Sequence, residues 1–359
     1  MDHKILALLL LTPAGFSAAQ QSGAPQQSSN LLNPNISVVG NIGMSWGDDA
    51  TIGENLFSFK EAEVAFQSVV DPYARADVFV AVSEEGVELE EGYITWLSLP
   101  GGISAKAGKF RSNLGKFNRT HPPETFFVDR PLAGEAFLGE EGLAGVGASL
   151  SWLVPTSALY LNVDLELTDS FGESPSFAYE EDGELLSGGG RRDLGYLVRA
   201  STFYDLSEAS NIAGGFSFAR GVHDREGELA TNLYNADVTF RWKNPRRAVY
   251  RSLTWQTELL VAQVEASPGA AVTSWGMFSY VDYQFQRRWH AGARFDRTEF
   301  PADNSTNEQG GLAYITYTPS EFSLLSFQNR VVRRADGATD WAQFIKLTFN
   351  IGPHGAHPF

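Results

Sequence analysis

The feature that constrains this chain most is an alternation of apolar and polar residues with a period of two. In SALYLNVDLELT (157–168), Leu159, Leu161, Val163 and Leu165 share one face, and polar side chains share the other. The same pattern recurs in YNADVTFRW (234–242), WHAGARFDR (289–297) and WAQFIKLTFNI (341–351). Such alternation is typical of long β-strands with one apolar and one polar face. No stretch shows a sustained helical period.

About sixteen such runs can be counted from residue 34 onward, and the connections between them alternate in length, apart from the short connection 84–86. The compact connections are 71–74, 100–102, 155–158, 205–210, 244–247, 286–288 and 318–321. The longer and more acidic connections are 110–142, 168–193, 222–228 and 300–308. This pattern predicts an all-β fold, a transmembrane antiparallel β-barrel of about sixteen strands with short periplasmic turns and longer extracellular loops.

The tryptophans test this prediction independently. They fall toward the ends of the predicted strands, as expected for aromatic belts at two membrane interfaces. Those near short turns are Trp96, Trp152, Trp242, Trp255 and Trp289, and those near long loops are Trp46, Trp275 and Trp341. The alternative fold, a soluble secreted β-sandwich, would bury tryptophan in the middle of its strands.

The ends of the chain suggest export to the outer membrane of a bacterium. Lys4, the apolar run ILALLLL (5–11) and the small residues before Gln20 predict a signal peptide over 1–19. The polar stretch 20–33 is interpreted as a flexible leader, and 34–359 as the barrel. The aromatic Phe359 resembles the C-terminal signal that barrel-assembly machinery recognises.

Composition excludes several classes of function. The chain has no cysteine and a formal net charge of −16, which argues against disulfides, thiolate metal sites and nucleic-acid partners. It carries no GxSxG, HExxH or P-loop motif, so we expect neither an enzyme nor a cofactor.

A barrel of about sixteen strands is wide enough to leave an aqueous lumen. The alternation predicts these charged lumen-wall residues: Glu61, Glu63, Arg75, Asp77, Glu91, Lys106, Arg241, Glu258, Arg294, Asp296, Arg330 and Lys346. Two roles stay open for them, wall-to-wall ion pairs that hold the barrel round and selectivity for solutes.

Positive charge is concentrated in one part of this acidic chain. Residues 101–130 contain six Lys or Arg but only Glu124 and Asp129 as acids. The stretch AGKFRSNLGKFNRTHPPETFFVDRP (107–131) begins a predicted connection, 110–142, that follows the fifth strand, where general porins fold a loop into the lumen.

This stretch resembles the corresponding region of phosphate-selective porin O/P-like proteins and related uncharacterised outer-membrane barrels. There, a Gly-Lys-Phe unit leads into a loop closed by Asp-Arg-Pro. The resemblance implies passive transport and a positively lined constriction formed by Lys109, Arg111, Lys116, Arg119 and Arg130. The alternative is that these bases pair with inner-wall carboxylates and pin the loop. Glu-rich outer loops would repel phosphate, so the solute stays open.

The function predicted is a porin-like channel for passive diffusion of small hydrophilic solutes or ions. The alternatives are a non-conducting barrel whose acidic loops bind surfaces, and a protein related to metal uptake. No metal site is predicted outright, although His121, His354 and His357 are weak candidates for metal ligands. Expected partners are outer-membrane lipids and lipopolysaccharide, the assembly machinery and, as an open question, two further copies in a homotrimer.

Overall fold

The protein is described by a computed structural model. It covers residues 34–49, 52, 55–156, 159–181, 184–188, 193–224, 226, 228–247 and 250–352. The predicted signal peptide 1–19, the leader 20–33 and the C-terminal residues His354, His357 and Phe359 lie outside the described residues.

Strands dominate the described chain. They are β1 (Asn35–Gly47), β2 (Phe57–Asp71), β3 (Ala74–Val82), β4 (Val87–Leu99), β5 (Ile103–Arg111), β6 (Ala144–Leu153), β7 (Tyr160–Thr168), β8 (Ala178–Glu181), β9 (Glu184–Ser187), β10 (Gly195–Ser207), β11 (Ser210–Val222), β12 (Ala230–Lys243), β13 (Ser252–Ser267), β14 (Ala270–Gln286), β15 (Trp289–Phe300), β16 (Asp303–Ser320), β17 (Ser323–Arg333) and β18 (Thr339–Ile351). All except β8 and β9 belong to one closed barrel.

The barrel closes because its first and last strands pair with each other. β1 and β18 run antiparallel from the pair Val38–Ile351 to the pair Gly47–Ala342. Each of the other barrel strands pairs antiparallel with its neighbour in chain order, β10 following β7. The predicted fold, an antiparallel barrel of about sixteen strands, is therefore confirmed, with sixteen strands in the barrel.

The barrel is apolar outside and polar inside. On the outer face, Leu150, Leu259 and Phe295 are 47%, 38% and 48% exposed. On the inner face, Asp237 and Gln328 are buried. The strand registers place all eight tryptophans on the outer face. This arrangement suits lipid outside and water or protein inside.

Two of the longer predicted connections contain strand beyond the residues at their ends. Residues 300–308 were expected to form a loop, but β15 reaches Phe300 and β16 begins at Asp303. That prediction is wrong because the hairpin extends past the apolar band, where both faces are polar and alternation no longer marks a strand. Within 168–193, β8 and β9 form a separate hairpin.

One short α-helix lies between β5 and β6. This helix, α1 (Leu132–Leu138), begins after Pro131 and ends at Gly139, whose positive φ of 83° is one that glycine adopts at little cost. Among the described residues, no helix has the length and apolar character needed to cross a membrane.

We expect Leu259→Arg to destabilise the barrel by about 2–4 kcal/mol, because the arginine would face lipid midway along β13. The measurement is the free energy of unfolding in lipid vesicles. The matched control, Leu206→Arg, lies near the end of β10 and should cost about 0–1 kcal/mol. Equal losses for the two variants would contradict the orientation of the outer face.

Candidate functional site

The candidate site is the segment between β5 and β6, residues 112–143, which we name the inner loop. It begins two residues later than predicted, because Phe110 and Arg111 still pair with β6. The inner loop bonds to inward-facing side chains of β4, β7, β13, β15, β17 and β18. It therefore lies inside the barrel and is held by strands from around the wall.

Asn118 ties the two ends of the inner loop together. Its Nδ2 donates to the carbonyls of Ser112 and Leu143 at 2.9 and 2.8 Å. Its Oδ1 accepts from the Leu143 amide at 2.8 Å. Because Asn118 is buried, these bonds are shielded from competing water. The loop thus leaves and re-enters the wall at one point.

The first turn of the inner loop is held by Glu258 of β13. Oε1 of Glu258 accepts from the amides of Lys116 and Phe117 at 3.0 and 2.7 Å. Gly115 makes this approach possible, since its φ is +66° and a Cβ would lie 2.4 Å from Glu258. The carboxylate satisfies backbone donors that the lumen would otherwise leave unpaired.

The middle of the inner loop is held by Lys346 of β18. The buried ammonium donates to the carbonyls of Pro122, Thr125 and Phe127 at 3.3, 2.9 and 3.1 Å. Gln328 of β17 bonds to two further backbone groups of this stretch at 2.9 and 3.2 Å. Wall side chains thus replace the β-ladder that this irregular backbone lacks.

The Asp-Arg-Pro unit is an electrostatic anchor. Asp129 lies 3.0 Å from Arg294 of β15 and 2.6 Å from Arg330 of β17. Burial alone would raise the pKa of Asp129, but the two guanidiniums outweigh it and lower the pKa. Arg330 also pairs with Asp49 at 2.5 Å. Because each charge here has a partner, burying them does not leave an isolated ion.

Aromatic packing fixes the same stretch. Phe127 is almost fully buried against Phe117, Tyr280 and Tyr314, with ring centroids 6.3, 5.2 and 5.8 Å away. The guanidinium of Arg294 lies 4.5 Å above the Phe127 ring. Such contacts add to the stability that burial alone provides.

An apolar area of the inner wall receives α1. Phe137 and Leu138 of the helix pack in one buried cluster with Leu233, Leu260 and Ala262 of β12 and β13. Alternation predicted polar residues on the inner face, so apolar residues there mark the place where the inner loop docks.

Of the cavities that border the inner loop, two meet at residues 119–122. The first, of about 320 Å³, is lined by Thr120 and Pro122 together with Glu61 on the wall. The second, of about 350 Å³, is lined by Arg119 and His121 together with other wall residues. Successive residues of 119–122 thus face different cavities, and this stretch, extended at Thr120 and His121, forms the partition between them.

His121 fastens the partition to the wall. Nδ1 lies 2.6 Å from Glu90 and 2.8 Å from Glu63, and Nε2 lies 2.8 Å from Glu91. Burial would lower the pKa of His121, but hydrogen bonds to the three carboxylates raise it well above its ordinary value. The Phe79 ring lies 5.0 Å away. Sequence reasoning connected His121 with His354 and His357, whereas the structure surrounds it with glutamates.

Strict alternation missed Glu90. In the pairing of β3 with β4, Phe79 is opposite Glu91 and Val80 is opposite Leu89, so Glu90 is an extra, bulged residue. The bulge lets neighbouring Glu90 and Glu91 both reach the interior, where both are buried. The sequence GVELEEGY gives no clear signal for this shift.

The five predicted constriction bases separate into different environments. Lys109 is opposite Val146, on the outer face by register, and its ammonium lies 3.6 Å from Glu88. It is therefore not part of a ring that faces the lumen, because alternation places it on the other side of β5 from Lys106. Arg111 lies 3.5 Å from Glu90 and is buried.

The remaining three bases belong to the inner loop itself. Arg130 donates to the Glu140 carbonyl at 3.0 Å, and burial lowers its pKa to about 9. Lys116 and Arg119 have no ion pair among the described residues. Burial, then Arg241 and Arg119, lower the pKa of Lys116 to about 8. Lys116 and Arg119, together with Arg241 of β12, form a positive group.

The predicted lumen-wall residues all lie on the inner face. Eight of them line the two cavities: Glu61, Glu63, Arg75, Asp77, Glu91, Lys106, Arg330 and Lys346. Arg294 and Asp296 form an ion pair on the inner face, and Glu258 contacts the inner loop. The register of β12 places Arg241 on the same face. Most serve the anchoring of the inner loop, a role that only the folded chain reveals.

Known structures share this architecture. The barrel is similar to an anion-selective porin from Comamonas acidovorans (TM-score 0.59, 8% identity, 89% of this chain and 99% of that chain). It is also similar to the outer-membrane channel DcaP of Acinetobacter baumannii (0.57, 11%, 89% and 96%). A third likeness is to OmpT of Vibrio cholerae in a trimer form (0.54, 9%, 89% and 100%).

The chain has the fold of the outer-membrane porins. Its sixteen-stranded barrel and apolar outer face fit an outer-membrane location. By sequence it is 29% identical over 344 residues to an uncharacterised protein of Aquifex aeolicus, covering 84% of this chain and 70% of that protein. No family model matches the sequence.

We expect Lys346→Met to release the middle of the inner loop, because three buried carbonyls would lose their donor, each at about 1–3 kcal/mol. The measurement is cleavage by trypsin after Lys116 or Arg119 in the folded barrel. The control, Lys243→Met, removes an exposed lysine at the end of β12. Equal resistance of both variants and the wild type would contradict the anchoring role of Lys346.

Proposed function

We propose that the protein is an outer-membrane channel for passive diffusion of small hydrophilic solutes or ions, with the inner loop as its constriction. The observation that carries this proposal is the partition 119–122, which lies between two cavities inside a closed barrel of sixteen strands. A solute that crosses the barrel on this side has to pass the partition.

The chemistry of the two cavities supports a polar solute. Glu61, Arg130 and Lys346 line the first cavity, and Arg75 and Asp77 line the second. Charged walls with both signs favour hydrated molecules over apolar ones. No catalytic step enters the proposal.

Selectivity is assigned to the positive group of Lys116, Arg119 and Arg241. Fixed positive charge lowers the barrier for anions and raises it for cations. Lys109 and Arg111 contribute little, because one is on the outer face and the other pairs with Glu90 and Glu141.

The proposal includes how the protein would reach the outer membrane and what would surround it there. The signal peptide would direct export, barrel-assembly machinery would insert the chain, and lipids and lipopolysaccharide would surround its apolar face. The trimer form of a similar structure supports a homotrimer as the assembly. Cross-linking in native membranes tests this, since a trimer gives a band of three chains.

A non-conducting barrel is the second candidate function, and the dense anchoring of the inner loop favours it. Bonds from strands around the wall hold the loop inside the lumen. Planar-bilayer recordings separate the two. Stable conductance steps support the channel, whereas repeated insertion without conductance overturns it and leaves surface binding by the acidic loops.

We expect Lys116→Gln with Arg119→Gln to shift the reversal potential in a KCl gradient toward cations, because two positive charges beside the path would be removed. The control, Lys109→Gln, removes one charge from the outer face and should leave the reversal potential unchanged. A shift in the control, or none in the double variant, would contradict the assignment.

We also expect the preference for anions to fall as the pH rises from 7 to 9. The pKa of Lys116 is lowered to about 8, so the side chain is charged below pH 8 and neutral above it. Arg119 and Arg241 lower this pKa, and Glu258 and Asp237 oppose them. The measurement is the reversal potential against pH. Lys116→Arg should remove the change, and its persistence in that variant would assign it to another group.

A further inference from the structure

The surroundings of His121 contain more acceptors than its ring can satisfy. Nδ1 carries at most one proton, yet Glu63 and Glu90 each place an oxygen within 2.8 Å of it. Oε2 of Glu63 has no donor near it among the described residues apart from this shared Nδ1, although its side chain is only 4% exposed. A buried carboxylate oxygen of this kind is costly unless another ligand satisfies it.

Charge points to the nature of that ligand. Three carboxylates, Glu63, Glu90 and Glu91, surround one imidazole, and Arg111 is the closest further cation, 3.5 Å from Glu90. Three negative charges exceed those of a protonated His121 and Arg111 by one. Arg111 is also shared with Glu141 at 3.3 Å, so a divalent cation bound to a neutral imidazole would reduce an excess of negative charge in this group.

The arrangement of His121 matches that of a metal-binding histidine. Such a residue usually donates its second ring N–H to a carboxylate, which orients the ring. Nε2 of His121 lies 2.8 Å from Oε1 of Glu91. Oε2 of Glu91 in turn accepts from the Arg111 amide at 2.9 Å, so the orienting carboxylate is itself held in place.

We propose that Nδ1 of His121 and the carboxylates of Glu63 and Glu90 bind a divalent transition-metal ion of the Zn²⁺ type. The donor atoms of these three residues lie within 4.8 Å of one another. One imidazole with two carboxylates suits Zn²⁺ better than Ca²⁺ or Mg²⁺, which prefer oxygen ligands alone. A fourth position would remain for water.

Binding requires a small opening of the cluster and the release of the Nδ1 proton of His121 to solvent. Tetrahedral Zn²⁺ with bonds of about 2.0–2.1 Å separates its ligand atoms by roughly 3.3 Å. The present separations from Nδ1 are 2.6 and 2.8 Å. The second cavity, lined by Glu63 and His121, offers a path for the ion. The bound ion would join the inner loop to β2 and β4.

The test is Zn²⁺ binding to the refolded full-length barrel in detergent, measured by calorimetry in excess Mg²⁺ to occupy exposed acidic loops. We expect one equivalent of Zn²⁺ in the wild type and at least a tenfold weaker affinity in Glu63→Gln and in His121→Gln. Because Glu91 only orients the ring, Glu91→Gln should weaken binding about 10–100-fold. X-ray absorption should show nitrogen and oxygen ligands at about 2.0–2.2 Å.

Two controls separate this site from other histidines. His290→Gln changes a histidine that has a single carboxylate, Asp282, at 2.8 Å, and should bind Zn²⁺ as the wild type does. His354→Gln with His357→Gln removes the C-terminal candidates and should also leave binding intact. Far-UV circular dichroism establishes that each variant is folded.

Three results would overturn the proposal. They are the absence of saturable binding by the wild type, unchanged affinity in Glu63→Gln, and loss of binding in the C-terminal double variant. If His121→Gln does not refold, Glu63→Gln decides alone, since Glu90 still accepts from Nδ1 and keeps His121 attached to the wall. Conductance is not part of this test, so its outcome is independent of the proposed channel.

Discussion

The pairing of β1 with β18 is the constraint on which the rest of the barrel depends. Lipid offers no hydrogen-bond partners, so the strands that cross it must satisfy every backbone group among themselves. An open sheet would leave two edges unpaired, whereas the register from Val38–Ile351 to Gly47–Ala342 leaves none. Closure also fixes which side chains face lipid. The apolar set lies outside, and the charged set is turned inward.

A polar interior can hold an irregular segment that lipid could not. The inner loop has few backbone hydrogen bonds of its own, and the wall supplies the missing partners. Glu258 accepts from amides near the start of the loop, and Lys346 donates to carbonyls in its middle. Many charged side chains of the wall thus hold the inner loop, and the polar groups of the loop that they bind stabilise their charges. Any selectivity comes from the charges that remain.

The partition 119–122 combines these effects. It is held by His121 on the side of β2 and β4, and Arg119 at its start belongs to the positive group beside β12. The residue that attaches the partition to the wall and a residue of the proposed selectivity group are therefore only two positions apart. Three glutamates surround His121, but its two ring nitrogens can donate only two hydrogen bonds. At Asp129, by contrast, one carboxylate is paired with two arginines, so the two attachment points differ in their chemistry.

The sequence by itself indicated about sixteen barrel strands and the side of the barrel that most of their residues face, because a strand pleat has a period of two and lipid outside requires apolar side chains. It also placed a basic loop after β5. Only the tertiary structure decided which charged residues pair, since Asp129 binds Arg294 and Arg330, which are more than 160 residues away in the sequence. It also revealed the bulge at Glu90 and the apolar dock for α1. The local sequence shows the period of a strand. It does not show a bulge, which shifts the register, or the tertiary contacts of a loop, whose partners are distant in the sequence.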